Sequence, residues 1–128
     1  MRTFPRSLIA VVLSLGAIAA CDRTTSPSSA GPVSATLVSQ FTDDAAALIE
    51  FRGDVQSVSA PAGTTIYSEA RPGGVTQVLI VREVPGTIEF TLHLANRSKK
   101  PEARILDVSD AFDVPRSAAS VSAYRVEY

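Results

Sequence analysis

The chain has 128 residues, with twelve basic against thirteen acidic side chains, one cysteine and no tryptophan. So even a balance excludes the electrostatic footprint of a nucleic-acid-binding protein, and a lone thiol excludes a disulfide within the chain. Aromatic residues make up only 6% of the sequence, which argues against a sugar-stacking face.

The first six residues, Met1-Arg2-Thr3-Phe4-Pro5-Arg6, carry only positive charge, and residues 7–20 carry none. Leu8, Ile9, Val11, Val12, Leu13, Leu15 and Ile18 make that second stretch apolar, and Ala19-Ala20 close it with small side chains. A basic start, a short apolar core and a small-residue exit are the parts of a secretory signal. A membrane-spanning helix is the rival reading, but it needs about 20 apolar residues to cross about 30 Å of hydrocarbon. This run is shorter and ends in Ala-Ala-Cys-Asp, without a basic stop-transfer flank.

Ile18-Ala19-Ala20-Cys21 resembles the lipobox of bacterial lipoprotein precursors, an aliphatic residue and two small ones before a cysteine. The resemblance implies that Cys21 carries diacylglycerol on its sulfur and becomes the first residue after cleavage behind Ala20. It also implies an exported protein, anchored by lipid in a bacterial cell membrane or outer membrane and facing the periplasm or the exterior. Ordinary signal cleavage would instead leave Cys21 as a free thiol, which exported proteins rarely keep unpaired. Each buried methylene contributes about 0.8 kcal/mol, so two or three acyl chains hold firmly where one does not. Asp22 resembles an inner-membrane retention signal of some enteric bacteria, a rule that does not transfer between phyla, so either membrane is open.

Loss of the leader removes Arg2 and Arg6, leaving ten basic against thirteen acidic residues and a net charge of about −3. Residues 22–32 are rich in Ser, Thr, Pro and Gly with no aliphatic periodicity, so they cannot offset their own ordering entropy. Together with Cys21 they form a tether, whose reach as a flexible coil of about 11 residues is about 20 Å. Residues 33–128 are then one small domain, able to bury roughly 60–70% of its unfolded surface.

Within the domain, residues 33–41 alternate, with Val33, Ala35, Leu37 and Phe41 on one side, and predict a half-buried strand. Thr42-Asp43-Asp44 is a polar turn. Residues 45–52 fit a short helix capped by Asp44, or a strand with Ala45, Ala47, Ile49 and Phe51 on one face. The strand is preferred because Gly53-Asp54 suits a two-residue type II′ hairpin loop, which sets Ile49 opposite Val58 in a following strand over 55–60. Residues 64–70 form a short strand around Ile66 and Tyr67, and Arg71-Pro72-Gly73-Gly74 fits a type II turn with Gly73 at positive φ.

Residues 75–83 contain Val78-Leu79-Ile80-Val81, apolar on both faces, which predicts the strand with most neighbours, covered on both sides. After Val84-Pro85-Gly86, residues 87–94 alternate most clearly, with Ile88, Phe90, Leu92 and Leu94 on the buried side. Residues 96–101 are a solvated loop, 104–109 another strand, and 110–117 a loop. Residues 120–128 read as a last strand with Tyr124, Val126 and Tyr128 on one face, tying the C-terminus into a sheet.

About eight short strands at spacings near ten residues, with Pro/Gly turns and no long helix, define an all-β protein, a small antiparallel β-sandwich. Pro85-Gly86-Thr87-Ile88-Glu89-Phe90, following a hydrophobic strand, loosely resembles cohesin-like and carbohydrate-module sandwiches. That resemblance implies an Ig-like or cohesin-like fold and transfers no functional residue.

The candidate sites are few. His93, the only histidine, shares the polar face of its strand with Glu89 and Thr91, where the three side chains are taken as neighbours and Glu89 and His93 as an acid–base pair. No nucleophile elbow and no second histidine accompany them, so a surface histidine is the simpler reading. Asp107, Asp110 and Asp113 suit a hard cation chemically but match no calcium-loop spacing, and Asp is a common turn residue. Arg52-Gly53-Asp54 matches the integrin-ligand tripeptide, yet Gly-Asp already has a turn to make. Asn96-Arg97-Ser98 is a formal glycosylation sequon, of no consequence in a bacterium. Arg97, Lys99 and Lys100 suit anionic lipid at about 1 kcal/mol per charge, or simply a wet loop.

The sequence therefore assigns lipidation to Cys21 and no catalytic, cofactor or metal residue. The expected role is non-catalytic: a lipid-anchored binding or assembly module that meets a protein or glycan through a sheet edge or loops. The runner-up is a small envelope hydrolase using Glu89 and His93.

Overall fold

A computed structural model describes residues 29–128. Cys21, the leader and most of the tether lie outside the described residues. Eight strands build two four-stranded antiparallel sheets: β1 (Gly31–Val38), β2 (Asp44–Arg52), β3 (Val55–Ser59), β4 (Thr64–Arg71), β5 (Val75–Arg82), β6 (Ile88–Leu94), β7 (Glu102–Asp110) and β8 (Arg125–Glu127). One sheet has the order β3-β6-β1-β8 and the other β4-β5-β2-β7. The only helical element among the described residues is α1 (Ala118–Val121).

Period-two alternation gives each sheet one apolar face, and the two faces close on each other. Ala35, Leu37, Ile88, Phe90, Leu92 and Leu94 come from the first sheet and Ala47, Ile49, Phe51, Val78, Ile80 and Val108 from the second, all 2% exposed or less. Phe51 and Phe90 meet across the gap with ring centroids 5.8 Å apart and planes at 59°, the tilted geometry aromatic quadrupoles favour. The β1–β6 register runs from Gly31↔Leu94 to Leu37↔Ile88 without interruption. Gly31 and Pro32 thus belong to β1 rather than to the tether.

Three expectations are corrected. First, residues 45–52 are a strand, but β2 and β3 do not form a hairpin. Ile49 lies between Val78 and Ile105 in one sheet, and Val58 lies opposite Leu92 in the other. Gly53, at φ +145°, turns the chain out of one sheet and into the other, a conformation that a type II′ loop does not use. Its N–H donates to Gly74 O at 3.0 Å, and an added Cβ would come within 3.1 Å of Pro101 Cβ. The partners of β2 are β5 and β7, whose apolar faces bury more than the short, half-exposed β3 offers.

Second, β5 is internal to its sheet, between β4 and β2, but is covered on one face only. Val78 and Ile80 are fully buried, whereas Leu79 and Val81 remain 37% and 36% exposed. Third, residues 120–128 are not one strand. Ser117 caps α1 by accepting the Ser120 N–H at 3.2 Å, and the chain becomes extended only at Arg125. Tyr124 is buried and Val126 partly so, while Tyr128 is 41% exposed. The final strand does tie into a sheet, pairing with β1 at Leu37↔Val126.

Among the described residues, every fully buried core side chain falls within residues 33–124. Burial of each large apolar side chain contributes roughly 1.5–3 kcal/mol, a large part of the 5–15 kcal/mol that typically separates folded from unfolded. Phe90→Asp places a charge between the sheets and is expected to leave the chain unfolded, read as loss of the β-sheet circular dichroism spectrum. Phe90→Leu should retain it.

Candidate functional site

The outer face of the β4-β5-β2-β7 sheet carries Tyr67, Leu79 and Val81, the exposed large hydrophobic side chains of the described strands. Register aligns Tyr67, Leu79, Leu48 and Asp107 in one row across β4, β5, β2 and β7, and Thr65, Val81, Ala46 and Ser109 in the next. Tyr67 is 61% exposed. With Leu48, Leu79, Glu69 and Gln77 it frames a shallow depression of about 260 Å³. A small hollow at Leu48, Leu79 and Asp107 continues it towards β7. Beyond Asp107, a depression of about 370 Å³ lies between Leu106 and the residues of α1, Ala118 and Val121. Leu106 faces that space because the β2–β7 register shifts between Leu48↔Asp107 and Ile49↔Ile105, leaving it as the extra residue of a bulge. The first two hollows share Leu48 and Leu79 and make a trough across all four strands, and the third adjoins it at Asp107, at the edge of β7.

A buried network fixes the end of the sandwich beyond the trough. Asp44, 2% exposed, accepts hydrogen bonds at one carboxylate oxygen from Arg116 Nε (3.2 Å), Arg116 Nη2 (3.0 Å) and the Tyr124 hydroxyl (2.8 Å). Arg116 also donates to Asp43 at 2.5 Å and lies 4.0 Å over the Phe41 ring, which stacks on Tyr124 at 6.2 Å. Burial alone would lower the Arg116 pKa, but hydrogen bonds to Asp43 and Asp44 outweigh it and raise the pKa above its ordinary value. Burial, with Asp44 close by, pushes the Tyr124 phenol up. Asp110 takes part at 3.9 Å from Arg116, and its carboxylate accepts the Phe112 and Val114 N–H groups, which hold its pKa below the usual range. This network is invisible in the local sequence, because Asp43 and Asp44 look like ordinary turn residues and their partner Arg116 lies more than seventy positions away.

The sequence-nominated residues fall elsewhere. Glu89 and His93 lie on one face of β6, on the outside of the other sheet, but four residues apart on a strand places them about 13 Å apart. They are not neighbours. His93 Nε2 instead meets Ser59 Oγ at 3.2 Å, from the adjacent β3, at an exposed position. Asp107, Asp110 and Asp113 do not converge: Asp107 accepts the Val108 N–H, Asp110 is engaged as above, and Asp113 turns the loop at φ +59°. Among the described residues, no group of three His, Cys, Asp or Glu side chains is placed to hold a metal ion. Arg52-Gly53-Asp54 is the inter-sheet corner rather than a projecting tip, with Arg52 3.8 Å from Glu50. Asn96 Oδ1 accepts the Ser98 N–H and organises the basic loop. Cys21 lies outside the described residues. No family model, curated protein or solved structure matches the chain.

Two outcomes test the packing around the site. Arg116→Ala should cost about 2 kcal/mol in urea unfolding, below the roughly 3–5 of a fully buried pair because the guanidinium keeps some solvent. Tyr124→Phe removes one hydrogen bond to a charged group and should cost about 1–2 kcal/mol. At high pH the test is Tyr128, whose hydroxyl donates to Pro101 O at 2.6 Å and whose pKa burial pushes up to about 12. An unfolded tyrosine titrates near about 10, so the folded chain keeps this proton where the unfolded chain has lost it. Its contribution is therefore complete below pH about 10 and lost as the pH rises towards 12. The urea midpoint should fall across that window, and fall less in Tyr128→Phe.

Proposed function

We propose that the chain is a lipid-anchored lipoprotein of the bacterial cell envelope, held by acylated Cys21, whose β-sandwich is a non-catalytic binding or assembly module. The anchor reading is supported by the basic, apolar and small-residue order of the leader and by Cys21 being the only cysteine. The observation that carries the binding role is the open face of β5. Leu79 and Val81, from a run apolar on both sides, remain exposed beside Tyr67 on a trough that crosses four strands. An aliphatic surface with one tyrosine suits a protein partner better than a glycan, which is recognised by stacking on aromatic faces.

One observation favours the hydrolase reading, the Ser59–His93 contact. The described hydrogen bonds give His93 no carboxylate to orient its ring, and the pair sits on an open sheet face.

Leu79→Asp with Tyr67→Asp should abolish function in cells and cross-linking to the envelope partner, while shifting the urea midpoint little because both side chains already face solvent. Cys21→Ser should release the protein from the membrane fraction. Unchanged function in the face variant, or its loss in His93→Ala and Ser59→Ala instead, would overturn the binding reading in favour of the enzymatic one.

A further inference from the structure

We infer that the end of the sandwich from which the tether leaves is a docking surface for anionic lipid headgroups, so that the domain stands on the bilayer with its trough facing sideways. The inference rests on the anchor reading for its orientation, and on the following geometry for its surface.

β1 begins at Gly31, opposite Leu94 at the end of β6, which in turn lies opposite Val55. The point where the chain arrives therefore shares one end of the molecule with the loop of residues 95–101. In the other sheet the same end carries the row Arg71, Val75, Arg52 and Glu102. The Gly53 N–H bond to Gly74 O joins the two halves of this end. Five cations, Arg52, Arg71, Arg97, Lys99 and Lys100, gather there, against Asp54 and Glu102 of the same corner and row and against Glu50 and Glu69, which pair with Arg52 at 3.8 Å and with Arg71 at 3.1 Å. The opposite end holds Asp43, Asp44, Glu83, Asp110 and Asp113 together with Arg82, Arg116 and Arg125, of which Arg116 pairs with Asp43 and Asp44 and Arg125 with Glu127. What distinguishes the tether end is its three cations without an ion pair among the described residues, Arg97, Lys99 and Lys100.

The loop is built to present those charges. Arg97 is fixed to the incoming chain, its N–H donating to Ser29 O at 3.3 Å and its Nη2 to Ser29 Oγ at 2.8 Å. Its aliphatic stem packs on Gly31, where an added Cβ would meet Arg97 Cδ at 2.9 Å. Lys100 Nζ donates to Arg97 O at 2.6 Å, and the Lys99 N–H to Asn96 O at 3.1 Å, closing the turn. Among the described residues, ion pairs form at Arg52, Arg71, Arg116 and Arg125, but none involves Arg97, Lys99 or Lys100. These three cations keep their charge for a partner, and a leaflet of anionic headgroups within tether reach of about 20 Å matches them in sign and position. Each is worth about fivefold in membrane affinity.

The test uses the chain from residue 21 onward with Cys21→Ser, which keeps every described residue and reads headgroup contact without the anchor. Sedimentation with phosphatidylcholine vesicles is compared with vesicles that also contain phosphatidylglycerol. The expected result is a preference of about a hundredfold for the anionic vesicles at low salt, shrinking as salt screens it, with slowed amide exchange at residues 96–100. Lys99→Glu with Lys100→Glu should remove the preference, whereas Arg125→Glu, at the other end, should leave most of it. Equal binding to both vesicles, a preference that survives the double reversal, or equal loss in Arg125→Glu would overturn the inference. So would displacement by inorganic phosphate at constant ionic strength, which would mark a site for free anion. Failure of the anchor reading shows separately, as unmodified Cys21 in the mass spectrum of the native protein.

Discussion

A carboxylate taken out of water must be answered by charge and hydrogen bonds, and Asp44 imposes that demand on the whole far end of the sandwich. Its side chain takes three donors from Arg116 and Tyr124, and its carbonyl takes the Gly86 N–H at 2.9 Å. The turn before β2, the β5–β6 turn, the loop after β7 and the approach to β8 therefore close around one residue. Each of these connections is short and irregular, and none has an extensive core of its own. Their order comes from satisfying a single buried acid, with no buried side-chain polar atom left unpartnered among the described residues. The trough inherits that rigidity, since Arg116 and α1 form its far wall.

The strands were legible wherever one face is wet and the other dry. β6 reads off its alternation directly, and so does β1, because period two is a property of the chain itself. What failed depended on residues far away. Gly53-Asp54 has the local chemistry of a hairpin, but β2 is claimed by β5 and β7, so the same glycine serves as a corner between sheets. α1 is four residues long, too short to show a helical period, and only Ser117 ahead of two alanines marks it. Asp44 has the local look of a turn residue and a possible cap, because nothing within reach of a local pattern announces a partner eighty positions on.

β5 is the instructive middle case. Its sequence is apolar on both sides, and it does lie in the interior of a sheet, between β4 and β2. The inference from apolar to covered is what did not hold, since no described segment lies over Leu79 and Val81. For the candidate site the legible part was thus the composition of the strand. The illegible part was its exposure, together with the bulge at Leu106 that extends the trough. The nominated Glu89–His93 pair failed on a simple length, since strand neighbours on one face are i and i+2, and i+4 is already out of contact.

The described chain enters the domain at Gly31, the first residue of a strand that lies inside its sheet, between β6 and β8. Seven residue pairs bind β1 on one side and three on the other. A pull delivered through residues 29–30 therefore runs along the strand, and its flanking ladders carry the load together in shear instead of opening one bond at a time. An edge strand in that position would peel. A domain entered in this way resists a force applied at its N-terminal side, and how long it resists is set by its barrier to unfolding rather than by its equilibrium stability.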